Sequence, residues 1–412
     1  MPKYFFVFLI FIFFITSCKL NKLYNQTVID EQEFSSTIQF KKLASGHIVI
    51  PVFIGGNEYS FLLDTGTPNM VSKELAEELK LEHVYHQQYI DSQDNKLALS
   101  LSVIDEIVIG GVSFRNNATT IHNFDKSPPT IRCLNISGVV GANLMKSAIW
   151  TFDFERNTIT IANAKKEFPE GEVLNFKTGY AGTPKVKVNI NGVSDGKAYI
   201  DFGAKGFYKT SEKTLHKLCR DKNKHKCSIT SGHGSIASGA FGYEKPDSSH
   251  IALVHSFSIG NESQVALKNQ LITMSNHSEK LLGLDCFENF TTTINWPERK
   301  LILSEKAKPE EIDSYNSFGF RVIYREEKLY VGFIYNNSPA TKAGLLLGDQ
   351  IVKINEFNFD HSNEDKFCSF LNSKTLSTTN QIKLTLLRNG QPTDIVLEKK
   401  DLFEGTQSGE VN

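Results

Sequence analysis

The sequence predicts a mainly β chain in which two similar lobes precede a third, separate unit, and three observations carry this. Alternating apolar residues run twice into a glycine turn, each time followed by an apolar strand that ends in Asp-x-Gly, and the composition changes after Lys306-Ala307-Lys308-Pro309. With 412 residues, 40% of them hydrophobic, the chain has room for several cores. Its 45 basic and 46 acidic residues leave a formal net charge of -1, so no global field favours nucleic acid, and none is expected as a partner.

From the N-terminus, Tyr4 to Ile15 carries no charged side chain and is too short to span a bilayer. It has the shape of an export signal over 1–17, and a polar stretch over 18–36 is expected to act as a tether. Ile15-Thr16-Ser17-Cys18 resembles the bacterial lipoprotein box, which implies a lipid on Cys18 and a body held to a membrane in the cell envelope. Of the five later cysteines, Cys219 and Cys227 flank a short polar loop and are the expected disulfide.

The first lobe is expected over 37–165 and the second over 170–305. Ile48, Ile50, Val52 and Ile54 form one apolar face, and Val186, Val188 and Ile190 repeat the device. Phe61-Leu62-Leu63 then leads to Asp64-Thr65-Gly66, and Ala198-Tyr199-Ile200 to Asp201-Phe202-Gly203. Gly141 closes Val139-Val140-Gly141, 77 residues after Asp64, and Gly283 closes Leu281-Leu282-Gly283, 82 after Asp201. From those glycines the copies align without a gap, Thr151 falling on Thr293, which predicts a duplication about a pseudo-two-fold axis.

A carboxylate followed two residues later by glycine permits a turn tight enough for a backbone N–H to reach the carboxylate. Two such loops meeting between lobes put two carboxyls together, where like charge and burial force them to share a proton. One can then take a proton from water while the other polarises a carbonyl, with no metal or cofactor expected.

Asp64-Thr65-Gly66 and Asp201-Phe202-Gly203 resemble the catalytic loops of bilobal pepsin- and retropepsin-like aspartic proteases. The resemblance implies Asp64 and Asp201 as the catalytic dyad of an endopeptidase, with Thr65, Gly66, Gly203, Gly141 and Gly283 supporting the loops. Phe202 departs from it, because a ring cannot make the hydrogen bond of the usual hydroxyl and is expected to pack between the lobes instead. Lys205 also departs, and a lysine near the dyad could hold Asp201 ionised, which would either fix it as the base or disable the shared proton. The segment 232–242, with Gly232, Gly234 and Gly239, is expected to form a mobile flap opposite the turn Asp91–Lys96. The alternative function is a catalytically degenerate scaffold that binds peptides.

The third unit, 313–400, carries Phe318-Gly319-Phe320, Ser338-Pro339-Ala340 and Gly348-Asp349-Gln350-Ile351, in an order that resembles a PDZ domain. That likeness implies a loop at Phe318, Gly319 and Phe320 presenting N–H groups to the free C-terminus of a peptide, which would add as a strand beside it.

Overall fold

A computed structural model describes residues 20–163, 170–219, 227–261, 264–276, 279–306, 311–360 and 363–404. Cys18 and the side chains of Cys219 and Cys227 lie outside the described residues, so the lipidation site and that cysteine pair have no structural account.

In the first lobe the strand Ile48–Ile54 pairs antiparallel with Asn57–Asp64 through the Gly55-Gly56 turn, where both glycines take positive φ. Gly138–Gly141 then lies parallel to Asn57–Asp64, with Gly141 in register with Asp64. A long hairpin, Lys96–Ile109 with Val112–His122, carries the shorter strand Tyr85–Ile90 on its outer edge. The second lobe repeats these pairings: Pro184–Ile190 is antiparallel to Val193–Asp201, and Leu281–Gly283 is parallel to it, with Gly283 in register with Asp201.

The lobes join through a six-stranded sheet in which Ile149–Asp153 and Phe290–Asn295 are antiparallel neighbours at the centre. Thr151 faces Thr293 there, hydroxyl to hydroxyl at 2.9 Å. These are the residues that the sequence superposes, so the contact is self-complementary, as a two-fold axis requires. One continuous core, including Phe152, Trp150, Phe202, Phe287 and Ile294, fills the space beneath. Burial of this apolar area is the main favourable term in holding the lobes together.

The third unit has its own core, built from Phe318, Phe320, Tyr324, Phe367 and Ile382 among others. It is not a separate bead. Its strand Lys328–Tyr335 pairs antiparallel with Cys227–Gly234 of the second lobe, making one sheet across both. Its helix Glu364–Ser373 is tied to the first lobe by a Cys133–Cys368 disulfide and by Arg132 gripping Glu364. The closest cysteine pair in sequence therefore did not reveal this bridge, whose partners are 235 residues apart.

Two boundary expectations change. Residues 20–29 are docked rather than a free tether, because Tyr24 is buried and Val28–Ile29 pairs with Val112–His122. At the other end Leu402 and Phe403 are buried against Phe333 and Tyr335, which extends the third unit past 400. No helix among the described residues is long and apolar enough to cross a membrane.

Candidate active site

Asp64 and Asp201 end strands that enter the lobe interface from opposite sides, and their loops interleave there. Gly66 N–H donates to Asp64 Oδ1 at 2.7 Å, while Gly203 and Ala204 N–H both donate to Asp201 Oδ1 at 3.0 Å. Each glycine faces the other loop's carboxyl. A Cβ on Gly66 would sit 2.6 Å from Asp201 Cγ, and one on Gly203 would overlap the Asp64 carboxyl. The absent side chains are therefore what let the two carboxyls approach and hydrogen-bond to each other.

Burial raises the pKa of Asp64, and only the donors around it oppose the rise. Asp201 is pushed up further, first by burial and then by the negative charge of Asp64. Both carboxyls are thus raised, and the pair holds one proton in common instead of ionising twice. Lys205 does not alter this. Its ammonium pairs with Asp285 and Glu288 instead of Asp201, so the expectation that it holds Asp201 ionised is corrected.

Thr65 Oγ1 donates to the carbonyl of Ile200 at 2.7 Å and accepts from Phe202 N–H at 3.0 Å, crossing from the first loop into the second. The return contact is aromatic. Phe202 is fully buried, 4.8 Å from the Phe152 ring and 5.3 Å from that of Phe287. Behind the loops, a Cβ on Gly141 would strike the Pro68–Asn69 backbone, and one on Gly283 would strike Gly206 O.

Three supporting residues had no motif to mark them. Asn69 accepts from Gly141 N–H at 2.7 Å, and Asn143 accepts from Asn69 N–H at 2.6 Å, so the two amides bolt the first loop to its glycine strand. His47 Nε2 lies 3.1 Å from Gly203 O, and Nδ1 lies 2.9 Å from Ser45 Oγ. Burial, helped by the nearby Lys205 charge, lowers its pKa to about 4. The ring is therefore neutral at ordinary pH, with Nε2–H donating to Gly203 and fixing the loop beside Asp64.

The flap expectation is corrected in one respect. The second-lobe hairpin is present as Cys227–Gly234 against Asp247–Ile259, but it is pinned rather than mobile. Gly232 and Gly234 lie in the strand that pairs with the third unit, where a Cβ would collide with Ile334 O or Gly332 O. Gly239, in the tip, packs so closely on Asp91 of the first-lobe turn that any side chain would overlap its carboxyl. In the third unit Phe318 and Phe320 are buried, and Gly319 between them needs its positive φ of 87° and the room to pass Ser338.

His83 and His86, which have metal-like spacing, stack on each other, His86 Nδ1 lies 3.1 Å from Ser100 Oγ, and no metal-ligand cluster occurs among the described residues.

Comparison with known proteins places a family model on one part of this site. Among curated proteins none matches the chain. The chain is similar to a solved retropepsin-like aspartic protease from Rickettsia conorii, at 19% identity over 32% of this chain and 96% of that one, with a TM-score of 0.24. The aspartyl protease family model matches residues 50–144, a stretch that holds Asp64, the first-lobe turn and Gly141, so this part of the first lobe is an aspartyl protease domain.

Proposed function

We propose that the protein is an aspartic endopeptidase whose two lobes, related by duplication, each supply one member of the Asp64–Asp201 dyad. The observation that carries this is the interleaving of the two Asp-x-Gly loops, in which each glycine leaves space for the opposite carboxyl. The ionised carboxyl of the pair takes a proton from a water seated between the two. That water's oxygen attacks the peptide carbon while the protonated carboxyl donates a hydrogen bond, then its proton, to the carbonyl oxygen. The tetrahedral intermediate collapses as the amide nitrogen takes the proton that the first carboxyl received from water, the C–N bond breaks, and one hydroxyl returns its proton to the second carboxyl, giving a carboxylic acid and an amine with the dyad restored.

We read the third unit as a PDZ domain that recruits peptide or protein C-termini, supported by the Gly319 turn and by the strand Phe320–Arg325, which pairs on one edge only among the described residues. Cys18 supplies a lipid anchor in the cell envelope on this reading. The test is digestion of a peptide library by the full-length protein in detergent, read by mass spectrometry. Cleavage lost in Asp64→Asn supports the proposal, and absence of cleavage by the unaltered protein favours the peptide-binding scaffold.

A further inference from the structure

The flap tip of the second lobe touches three parts of the molecule at once. On the first lobe, Phe241 packs against the cluster formed by Val49, Leu62, Met70, Leu134 and Val139, with its ring 5.3 Å from that of His122. Leu62 lies two residues before Asp64 on one strand, so it projects from the same sheet face as the carboxyl, about 6.5 Å away along the strand. Val139 and Met70 lie beside it in register. Phe241 thus packs on the apolar cluster that includes the wall next to the dyad. On the first-lobe turn, Phe241 N–H donates to Asp91 Oδ2 at 2.9 Å, and Asn95 Nδ2 donates to Tyr243 O at 3.3 Å.

The third contact is with the PDZ-like unit. Tyr243 Oη accepts from Tyr324 N–H at 3.3 Å and donates to Tyr324 O at 2.9 Å. Tyr324 belongs to the strand Phe320–Arg325, whose other edge is held by Lys328–Tyr335. Both groups therefore point away from Lys328–Tyr335, and one hydroxyl makes the pair of bonds that a residue of an added strand would make with its backbone. An incoming peptide and Tyr243 compete for the same two atoms. A cavity of about 460 Å³ opens beside them, lined by Ser127, Arg132, Tyr243, Tyr324 and Glu364 among others. The Cys133–Cys368 bridge and the Arg132–Glu364 pair hold the strand and the flap tip in range of each other.

We propose that the segment 236–243 is a latch that closes the catalytic cleft and the peptide-binding edge together, so that an extended peptide adding to Phe320–Arg325 displaces Tyr243 and withdraws Phe241 from the wall beside Asp64. The proposal rests on the protease and PDZ readings and adds their regulation. By linkage the coupling is reciprocal: opening the latch favours the peptide as much as the peptide favours opening.

Hydrogen exchange on the full-length Asp64→Asn protein tests the latch without requiring activity. A millimolar pool of random decapeptides with free C-termini is expected to speed exchange across 236–243 and slow it at Phe320–Arg325, and the same pool amidated is expected to act less. Tyr243→Phe keeps the ring and removes both hydrogen bonds, so it should speed exchange at 236–243 without any peptide. In the catalytically intact chain, Tyr243→Phe and Phe241→Ala should each raise kcat/KM on the order of tenfold. Unchanged exchange in Tyr243→Phe or with the pool overturns the latch, as does a fall in kcat/KM in Phe241→Ala, which would make the ring part of the substrate site. If no variant cleaves, the protease reading fails and exchange alone decides the latch.

Discussion

The hydroxyl of Thr65 crosses the interface while the ring of Phe202 answers it, so the two halves of the dyad are braced by different forces. Restoring a hydroxyl by Phe202→Thr removes a ring enclosed by Phe152, Phe154 and Phe287. The expected result is a loss of about 2–4 kcal/mol and a lower Tm in thermal unfolding, since one hydrogen bond recovers only about 1 kcal/mol of it. Asp201 gives a pH prediction. Its pKa is raised on folding, so the folded state binds a proton that the unfolded chain releases near the ordinary carboxyl value, and stability falls as pH rises above that value. Asp201→Asn has no such proton to hold, and its Tm should exceed that of the unaltered protein at pH 7, with the difference shrinking toward pH 4. The aspartates and glycines were legible because the turn that makes them useful is local. His47 was not, because its partner Gly203 O is 156 residues away and nothing in its neighbourhood distinguishes it.

At the level of elements, the sequence supported the paired strands and their glycine turns because alternation and turn chemistry are short-range signals. The tip of the second hairpin shows where that signal ends. Its glycines suggested mobility, yet the same residues are what allow backbone to lie against Ile334 O, Gly332 O and the Asp91 carboxyl. Close packing, rather than freedom, explains them. The disulfide joining the helix Glu364–Ser373 to the first lobe was equally hidden, since proximity in sequence says nothing about a contact made by docking. Its removal by Cys133→Ser with Cys368→Ser is expected to cost about 2–5 kcal/mol, because the bridge closes a loop of 235 residues in the unfolded chain. Thermal unfolding of the double variant, compared with the disulfide-bonded parent, measures this. An unchanged Tm would show that the paired strands and the Arg132–Glu364 contact already hold the third unit in place.

Across the whole molecule, the central pair Ile149–Asp153 and Phe290–Asn295 joins the lobes so that the two Asp-x-Gly loops arrive together, and neither lobe has a complete site alone. The third unit extends the second lobe's sheet and is clamped to the first lobe by the Cys133–Cys368 bridge. The central claim is that the two carboxyls act as one unit with one proton. A double-mutant cycle on kcat/KM tests it most directly, with Asp64→Asn, Asp201→Asn and the pair compared on one peptide substrate. Residues that act as a unit give non-additive losses, so each single variant should fall to the level of the double variant, and the parent's pH profile should be bell-shaped. Turnover retained by either single variant, or losses that multiply in the double, would contradict the dyad.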